Sequence, residues 1–538
     1  MCPMVGGRHR KGQILKTTSH PSTRTLSALL TAAFLVMLAA VARSATAELG
    51  VHRLFSDHMV LQAAMPVPVW GQAPAGTGVT VSAAGAEAVA EADNHGSWKA
   101  TLPEMPAGGP HTMTIRSDTG QQLQIKDVYV GEVWLASGQS NMAFRLGTAE
   151  SADEAIPKAD HPRMRFFKVP GGFDTEPGNT LDAGNWAVIS PENAGNFSAA
   201  AYFFARRLQK ELDVPVGIIQ AAAGGSPAQA WTRYKALAAN PALDQYVQEL
   251  KQLEKDFPLF RTNPRKQLEA WREQHHAWRR ELHKFRRGKL EKRPARGNFP
   301  SAHRLPTVLY NAMIHPLVPY ALRGALWYQA EANSNTGNVD IYDELFATMI
   351  SDWRAVWGGR EFPFLFVQLP DFEANRGGAW VQMRDEQRRT LEKTRNTAMV
   401  TTLGLGDPDD IHPKRKEPIG ECLAKAALVK AYGRKDLTWS GPLVRRAVKQ
   451  GDAVRVSFRH VDGGLVAKDG SLTGFELSSD GRKFTAADAR IAGDHVVVET
   501  GNIQNPVQIR YAWKMVPDAN LFNEIGYPAS PFVIDISD

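Results

Sequence analysis

The 538-residue chain is poor in cysteine and contains only Cys2 and Cys422. Cys2 lies in an N-terminal segment that we expect to be removed, and the single thiol that remains cannot form an intramolecular disulfide. Stability must therefore come from burial of a hydrophobic core, which a content of 43% hydrophobic residues can supply. At this length we expect about two to four domains.

Motifs for nucleotides and metals are also missing. There is no Walker loop and no dinucleotide-binding fingerprint, since the glycine-containing stretch GTGVTVSAAG lacks the strand and helix that such a motif requires. His275 and His276 are adjacent, but no Cys/His cluster with metal-ligand spacing accompanies them. We therefore expect neither a cofactor nor a metal.

A long hydrophobic run occurs at the N-terminus and nowhere later in the sequence. Five lysines and arginines precede an apolar segment from Leu26 to Ala42, and an Ala-x-Ala arrangement ending at Ala47 follows it. This plan is typical of a secretory signal peptide, whereas a retained membrane anchor requires a longer apolar span. We expect residues 1–47 to be cleaved near Ala47, which leaves a secreted or periplasmic protein with no stable membrane anchor.

The positive charge of the chain is concentrated in that leader. Residues 1–47 carry six lysines and arginines and no acid, so the formal net charge of +7 falls to about +1 in the mature chain. An excess of lysine and arginine that is confined to the leader does not indicate nucleic-acid binding. We expect no nucleic-acid partner, and the sequence does not indicate an oligomeric state.

Hydrophobic periodicity divides the mature chain into three parts. Residues 48–127 and 438–538 contain short alternating runs separated by turn residues, which predict an N-terminal β-sandwich-like domain and a C-terminal β-rich domain. Between them, in residues 128–437, apolar runs such as VYVGEVWLA, VGIIQAAA and GALWYQA alternate with helical patterns. This alternation predicts the α/β class with a doubly wound parallel sheet.

A basic helical insertion is predicted around residues 240–300. Residues 251–297 hold fifteen lysines and arginines against six acids. An apolar stripe with helical spacing runs through Leu268, Trp271, His275, Trp278, Leu282 and Phe285. One interpretation is a helix packed on the body with a solvated basic face. The other is a basic cap near the active site that attracts an acidic glycan or a membrane surface.

Ser140, in the stretch ASGQSNM after an apolar strand, is a candidate nucleophile. A serine hydroxyl needs a base and an acid that orients the base. His412 in GDPDDIHPKRKEPIG is the candidate base, and Asp409, three residues earlier, is its candidate partner. Asp407 and Asp410 are alternatives for the orienting acid.

Two further loops could supply donors for an oxyanion. The stretch AAAGGSPAQAW follows a strand and includes Gly225, and glycine lets the backbone approach a ligand closely. The stretch WYQAEAN contributes the side-chain amides of Gln329 and Asn333. Each of these loops follows a predicted parallel strand, so we expect them to gather at the carboxyl edge of the sheet.

The order Ser, Gly, amide and Asp-x-x-His resembles the SGNH hydrolase superfamily. More narrowly, the blocks GEVWLASGQSNM, GGSPAQAW, LWYQAEAN and DDIHPKRKEPIGECLA resemble the sialate O-acetylesterase family and related acetyl xylan esterases. The resemblance implies Ser140 as nucleophile, His412 as base and Asp409 as its partner. It also implies an oxyanion site formed by the N–H groups of Ser140 and Gly225 with an amide of Gln329 or Asn333.

The chain departs from the family pattern at three positions. Ala330 stands where the family usually has Gly, and Gly404 stands where the family often has Asp. Ser226 replaces a Thr but keeps the hydroxyl group. None of these positions belongs to the implied triad. The resemblance also implies that Glu331 organises its loop and does not attack the substrate.

The function expected from these motifs is hydrolysis of O-acetyl esters on carbohydrate through an acyl-enzyme at Ser140, with an O-acetylated glycan as substrate. An acetyl xylan esterase acting on plant polysaccharide is a related alternative. A non-catalytic glycan-binding protein with a degenerate hydrolase core is the alternative from another class, and the intact Ser140 and His412 argue against it.

Overall fold

The computed structural model describes residues 48–297, 299–335, 337–373 and 379–538. The segment interpreted as a signal peptide, residues 1–47, lies outside the described residues. In the described ranges, no helix combines the length and the apolar character that a bilayer span requires.

Seven strands form the N-terminal part. They are β1 (Gly50–Val51), β2 (Val60–Gln62), β3 (Val67–Gln72), β4 (Gly78–Ala83), β5 (Ala86–Glu91), β6 (Ser97–Leu102) and β7 (Gly108–Ser117). A separate sheet has the order β1-β3-β6, whereas β2 and the neighbouring strands β5, β4 and β7 belong to the same 11-stranded sheet as the central strands. Side chains alternate between buried and exposed along β3, β4 and β6, as they do in strands that cover a core on one face.

The central sheet has the order β10-β9-β11-β8-β12-β13-β14. Its strands are β8 (Gln122–Gly138), β9 (His161–Lys168), β10 (Trp186–Ile189), β11 (Val216–Ala222), β12 (Gly324–Tyr328), β13 (Phe364–Val367) and β14 (Thr397–Val400). All neighbouring pairs are parallel except β9 and β10. β12, β13 and β14 are buried along their whole length, as is usual when helices cover both faces of a parallel sheet. The predicted α/β class is confirmed.

Strand β8 connects the two parts of the molecule. Its first half pairs with β7 and with β2, and its second half pairs with β11 and β12. The boundary predicted between residues 127 and 128 therefore lies inside a strand of 17 residues. Asp127 has a φ of 52°, so the strand bends at this point without ending.

The helices cover both faces of the central sheet. They are α1 (Ala152–Ala155), α2 (Ala199–Leu212), α3 (Tyr234–Ala239), α4 (Asp244–Asp256), α5 (Pro258–Thr262), α6 (Pro264–Arg286), α7 (Tyr342–Val356), α8 (Ala379–Lys393) and α9 (Glu417–Tyr432). On one face, α2 and α9 contribute Phe204 and Leu423 to a core that includes Trp134 of β8. On the other face, α7 contributes Trp353 to a core that includes Trp327 of β12.

Helices α4, α5 and α6 occupy the segment interpreted as a basic insertion. In the predicted apolar stripe of α6, Leu268, Trp271 and Leu282 are buried, and Trp271 stacks on Phe260 of α5. The basic residues lie mostly on exposed positions of the same helix. The stripe thus holds α6 against its neighbours by apolar contacts and leaves the charged face open.

The C-terminal part is built of strands. They are β15 (Leu443–Gln450), β16 (Ala453–Arg459), β17 (Leu465–Ala467), β18 (Phe475–Ser478), β19 (Thr485–Ala486), β20 (Ala489–Ala492), β21 (His495–Glu499), β22 (Gln508–Tyr511), β23 (Leu521–Asn523) and β24 (Phe532–Ser537). Eight of them form one sheet in the order β19-β18-β22-β24-β15-β16-β21-β20, and β17 pairs with β23. A separate cluster of buried side chains, which includes Phe475, Tyr511 and Phe532, forms their core.

Candidate active site

Three strands end at the same level at the carboxyl edge of the central sheet. The register pairs Gly138 of β8 with Ala222 of β11 on one side and with Tyr328 of β12 on the other. Ligands of open α/β sheets bind beyond this edge. The loops that start here contain Ser140, Gly225 and Gln329, so the sheet brings three of the four predicted blocks together.

Gly138 permits the close contact on which this arrangement depends. Its φ of 131° is unfavourable for residues with a side chain, and an added Cβ would lie 2.2 Å from the carbonyl oxygen of Tyr328. The next residue, Gln139, donates its N–H to that same oxygen at 2.9 Å. The nucleophile loop is therefore fixed against the end of β12.

Ser140 and His412 form the central contact of the site. The distance between Ser140 Oγ and His412 Nε2 is 2.9 Å, although 272 residues separate them in sequence. Burial of the imidazole keeps the pKa of His412 below its usual value of 6.5, against the opposing effect of Asp410. At neutral pH the imidazole is thus neutral and able to accept the hydroxyl proton.

The carboxylate beside this imidazole belongs to Asp410, not to Asp409 as predicted. Asp410 Oδ1 lies 3.6 Å from His412 Nδ1, and it accepts the backbone N–H of His412 at 2.8 Å. This two-residue turn places the Asp410 carboxylate on the Nδ1 side of the ring. Asp409 instead donates its N–H to Asp407 Oδ1 at 2.9 Å. The spacing of an Asp and a His in a loop does not reveal such a turn.

The glycine loop lies directly beside the nucleophile. A Cβ added to Gly224 would be 3.7 Å from the Cβ of Ser140, and Gly225 has a φ of 73°. Among the described residues, the N–H groups of Ser140 and Gly225 have no hydrogen-bond acceptor. Two open N–H groups next to a nucleophile are the arrangement that an oxyanion requires. The Arg304 guanidinium donates to the Gly225 carbonyl oxygen at 3.2 Å and supports this loop.

Gln329 and Asn333, the amides predicted for the oxyanion site, connect two loops beside the nucleophile. The Gln329 amide donates to the Ser226 carbonyl oxygen at 3.2 Å and to Asn333 Oδ1 at 2.8 Å. The Asn333 amide donates to Gln229 Oε1 at 3.0 Å, and its Oδ1 also accepts the N–H of Ala228. Both amides thus bind the loop after β11 to the loop after β12. Through these bonds they position the glycine loop.

A buried network beneath Ser140 includes two residues that the sequence analysis missed, Asn141 and Lys416. Asn141 Nδ2 donates to Glu331 Oε1 at 2.5 Å and to the Ile411 carbonyl oxygen at 3.0 Å. Lys416 Nζ donates to Asn141 Oδ1 at 2.6 Å. Glu331 thereby joins its own loop to the residue that follows the nucleophile. Asn141 and Lys416 stand inside the quoted blocks, but nothing in a local pattern shows that they are buried together.

Burial dominates the electrostatics of this network. Desolvation lowers the pKa of Lys416 to about 7, although Glu331 and Asp410 favour its charged form. Burial also raises the pKa of Glu331, which the Asn141 amide and Lys416 oppose. The ammonium group lies over the rings of Phe144 and Tyr328 at 4.8 and 5.1 Å. The amide between the two ionisable groups partly compensates the loss of water.

Two departures from the family pattern have structural consequences. Ala330 has a φ of 145°, a backbone region that favours glycine, so the alanine methyl group introduces strain directly after Gln329. Gly404 donates its N–H to Asp371, and its carbonyl oxygen accepts Arg415 Nη1 at 3.0 Å. The loop that leads to His412 is therefore anchored by Asp371 without an acid at position 404.

Among the described residues, no group of three His, Cys, Asp or Glu side chains is arranged to hold a metal ion. The nucleophile, the imidazole and the open N–H groups are what this edge of the sheet offers chemically.

Known proteins resemble this chain over most of its length. Residues 130–259 and 298–429 match the family model described as carbohydrate esterase, sialic acid-specific acetylesterase. Sialate O-acetylesterase of Rattus norvegicus is 30% identical over 453 residues, 77% of this chain and 79% of the rat protein. The Mus musculus enzyme of the same name is 27% identical and covers 94% of this chain and 97% of its own length. A solved carbohydrate acetylesterase from Xanthomonas citri is 34% identical, with a TM-score of 0.76 over 90% of this chain and 99% of that structure.

Proposed function

The chain belongs to the sialic acid-specific acetylesterase family of carbohydrate esterases, and on this premise we propose that it is a secreted serine esterase that removes O-acetyl groups from sialylated glycans. The 2.9 Å contact between Ser140 Oγ and His412 Nε2 carries the proposal. The same rim contains the open N–H groups of Ser140 and Gly225. The fold we propose is of the SGNH hydrolase type, with β-rich domains on either side.

In the first half-reaction, Ser140 Oγ attacks the acetyl carbonyl carbon while His412 Nε2 takes the hydroxyl proton. The carbonyl oxygen becomes an oxyanion, which the N–H groups of Ser140 and Gly225 stabilise. The imidazolium is positive, and the Asp410 carboxylate beside Nδ1 stabilises it. His412 then gives its proton to the sugar oxygen, the ester bond breaks, and an acetyl-serine remains.

In the second half-reaction, a water molecule attacks the acetyl-serine. His412 takes a proton from this water, a second tetrahedral intermediate forms, and the proton returns to Ser140 Oγ as acetate leaves. The sum is one ester and one water converted to one alcohol and one acetic acid. No step needs a cofactor.

The test is acetate release from p-nitrophenyl acetate, O-acetylated sialic acid and acetylated xylo-oligosaccharide. Ser140→Ala should lower the rate by roughly 10⁴ or more, because nucleophile and base act as a unit. Ser137→Ala is the matched control: Ser137 is buried near the end of β8, three residues before Ser140, and its hydroxyl has no hydrogen-bond partner among the described residues. Activity that survives Ser140→Ala would contradict the mechanism.

The panel also separates the alternatives. A preference for acetylated xylo-oligosaccharide would favour an acetyl xylan esterase. A folded protein that binds glycans and hydrolyses none of the esters would favour the non-catalytic reading, which the Ser140–His412 contact disfavours. Export is tested separately, by expressing the full chain in a bacterium and determining the N-terminal residue of the periplasmic product, which should be near Glu48.

A further inference from the structure

One face of α6 presents arginines at intervals of seven residues. Arg265, Arg272 and Arg279 follow this spacing, and Arg280 adjoins the last of them. Seven residues are close to two helical turns, so successive members are about 10.5 Å apart along the axis. All four side chains are exposed. This face, defined by these four residues, is called the arginine face below.

Three adjoining cavities follow the arginine face. The first, of about 500 Å³, is lined by Arg265 and Arg272, and the second, of about 300 Å³, also includes Arg272. The third, of about 480 Å³, is lined by Arg279 and Arg280. The first and second cavities share Phe173, and the second and third share His275. Together they form one groove along the helix, several times longer than a single sugar ring.

The third cavity reaches the glycine loop, which lies beside Ser140. Gly224 belongs to its lining, and a Cβ on Gly224 would be 3.7 Å from the Cβ of Ser140. His303 also lines this cavity, and its Nε2 would lie 3.7 Å from a Cβ added to Gly225. The groove therefore begins at the loop that adjoins the nucleophile.

The end of the groove near Ser140 is positively charged. In the described parts of the chain, Arg279 and Arg280 take part in no ion pair, whereas Arg265 at the far end binds Asp174 at 2.8 Å. Burial and the charges of Arg304, Arg279 and Arg296 lower the pKa of His303 to about 4. An anion bound there would meet two uncompensated guanidinium groups, which suit planar carboxylates.

The rest of the groove has a different character. The middle cavity is lined by Phe173, which is partly exposed, with the Arg272 guanidinium 6.0 Å from the centroid of the Phe173 ring. The far cavity includes Asp182 and Glu269. Aromatic faces and carboxylate acceptors suit uncharged sugar rings, whose hydroxyl groups donate hydrogen bonds. A uniformly anionic polymer would meet repulsion at this far end.

We propose that this groove binds an oligosaccharide whose acetylated sugar is acidic and whose following sugars are neutral. The carboxylate of the acetylated sugar lies against Arg279 and Arg280, and the following sugars extend past Phe173. The inference rests on the proposed function, because it takes Ser140 as the reacting residue. It adds that the enzyme recognises the oligosaccharide that carries the acetylated sugar, not the acetylated monosaccharide alone.

The experiment compares O-acetylated sialic acid, O-acetylated sialyllactose and acetylated xylo-oligosaccharide as substrates. The variants are Arg279→Gln/Arg280→Gln, Phe173→Ala and, as a control, Lys266→Gln. Lys266 lies on the same helix, is exposed and lies outside all three cavities. Folding of each variant is checked by circular dichroism and by thermal unfolding.

The wild type should have a lower KM for O-acetylated sialyllactose than for the free acetylated sugar. The double arginine variant should raise KM roughly tenfold for both acidic substrates, which corresponds to about 1.4 kcal/mol, and make KM less sensitive to salt. Phe173→Ala should raise KM for the oligosaccharide alone, and Lys266→Gln should change neither.

Equal KM values for the free and the extended substrate would contradict the proposal that the groove binds the following sugars. An unchanged KM in the double arginine variant, or a preference for neutral xylo-oligosaccharide, would contradict the proposal that Arg279 and Arg280 bind a carboxylate of the substrate. These outcomes leave the esterase proposal standing if hydrolysis of p-nitrophenyl acetate still requires Ser140. Loss of that requirement would instead reject the proposed function itself.

Discussion

Asn141 donates a hydrogen bond of 3.0 Å to the carbonyl oxygen of Ile411, so the residue after the nucleophile binds the residue before the imidazole base. The same amide group binds Glu331 in the loop after β12 and accepts a bond from Lys416 at the start of α9. One buried side chain thereby sets the relative positions of Ser140 and His412.

Replacing Asn141 with Ala should reduce kcat by roughly 10- to 100-fold, because a small displacement of Ser140 from His412 has large effects on rate. The free energy of unfolding should fall by about 1–3 kcal/mol, since buried partners lose their hydrogen bonds. The measurements are kcat on p-nitrophenyl acetate and urea denaturation.

Asn523→Ala is the control for this variant. Asn523 is also fully buried and donates to two carbonyl oxygens, those of Ser440 and His460, but in the β-rich C-terminal part. It should destabilise the protein without a comparable loss of kcat per folded molecule. Equal kcat for the two variants would show that Asn141 is merely structural.

The two candidate orienting acids can be separated by paired substitutions. Asp410→Asn retains an acceptor for the His412 N–H but removes the negative charge, so kcat should fall roughly 10- to 100-fold. This is less than the loss of about 10⁴ found where the carboxylate is buried and hydrogen-bonded to Nδ1, because Asp410 is half exposed and 3.6 Å away. Asp409→Asn should leave kcat nearly unchanged. A larger loss of kcat in Asp409→Asn than in Asp410→Asn would instead support Asp409 as the acid that orients His412.

The pH–rate profile should report the ionisation of His412. Burial disfavours the imidazolium, so the neutral base persists below the ordinary pKa of 6.5, and the acidic limb of kcat/KM should lie below pH 6.5. Since Asp410 raises the pKa of His412, Asp410→Asn should move the limb to still lower pH while it reduces the plateau. A limb above pH 6.5 in the wild type would be incompatible with this account, provided that acyl transfer limits the rate.

Ala330→Gly should make the protein more stable by about 1 kcal/mol. Relief of strain at a φ of 145° is worth about 1–3 kcal/mol, and the greater freedom of glycine in the unfolded chain offsets part of that gain. Thermal or urea denaturation measures the change, with Ala332→Gly as control. Ala332 is equally buried but is not among the residues with positive φ, so its substitution should destabilise.

The sequence identifies the participants of the site better than their contacts. Ser140, Gly225 and His412 follow from residue types and from the rule that parallel strands present their carboxyl ends on one edge. The structure places the carboxylate of Asp410 beside the imidazole, and a turn within one loop decides this position. Gln329 could be recognised as a polar residue at a strand end, but its partners, such as Ser226, come from another loop and leave no local signal.

The division of the fold shows the same limit. Strand periodicity indicates the β-rich ends and the α/β centre, and it predicts a boundary between residues 127 and 128. In the structure the strand runs through this point, because Ile125 and Val128 both pair with β7, and the Lys126 carbonyl oxygen accepts the N–H of His58 at 3.1 Å. Charged residues can lie within a strand when one side of it is exposed, and the pattern alone does not distinguish this case from a domain boundary.

Strand β8 begins in the N-terminal sheet and leads to Gly138, two residues before the nucleophile. The N-terminal strands are therefore not an independent domain that evolution or a protein engineer could exchange as a unit. A chain cut at residue 128 would lose the hydrogen-bonded neighbours of the strand that positions Ser140, and any swap of the β-rich N-terminal part has to preserve the pairing of β8 with β2 and β7.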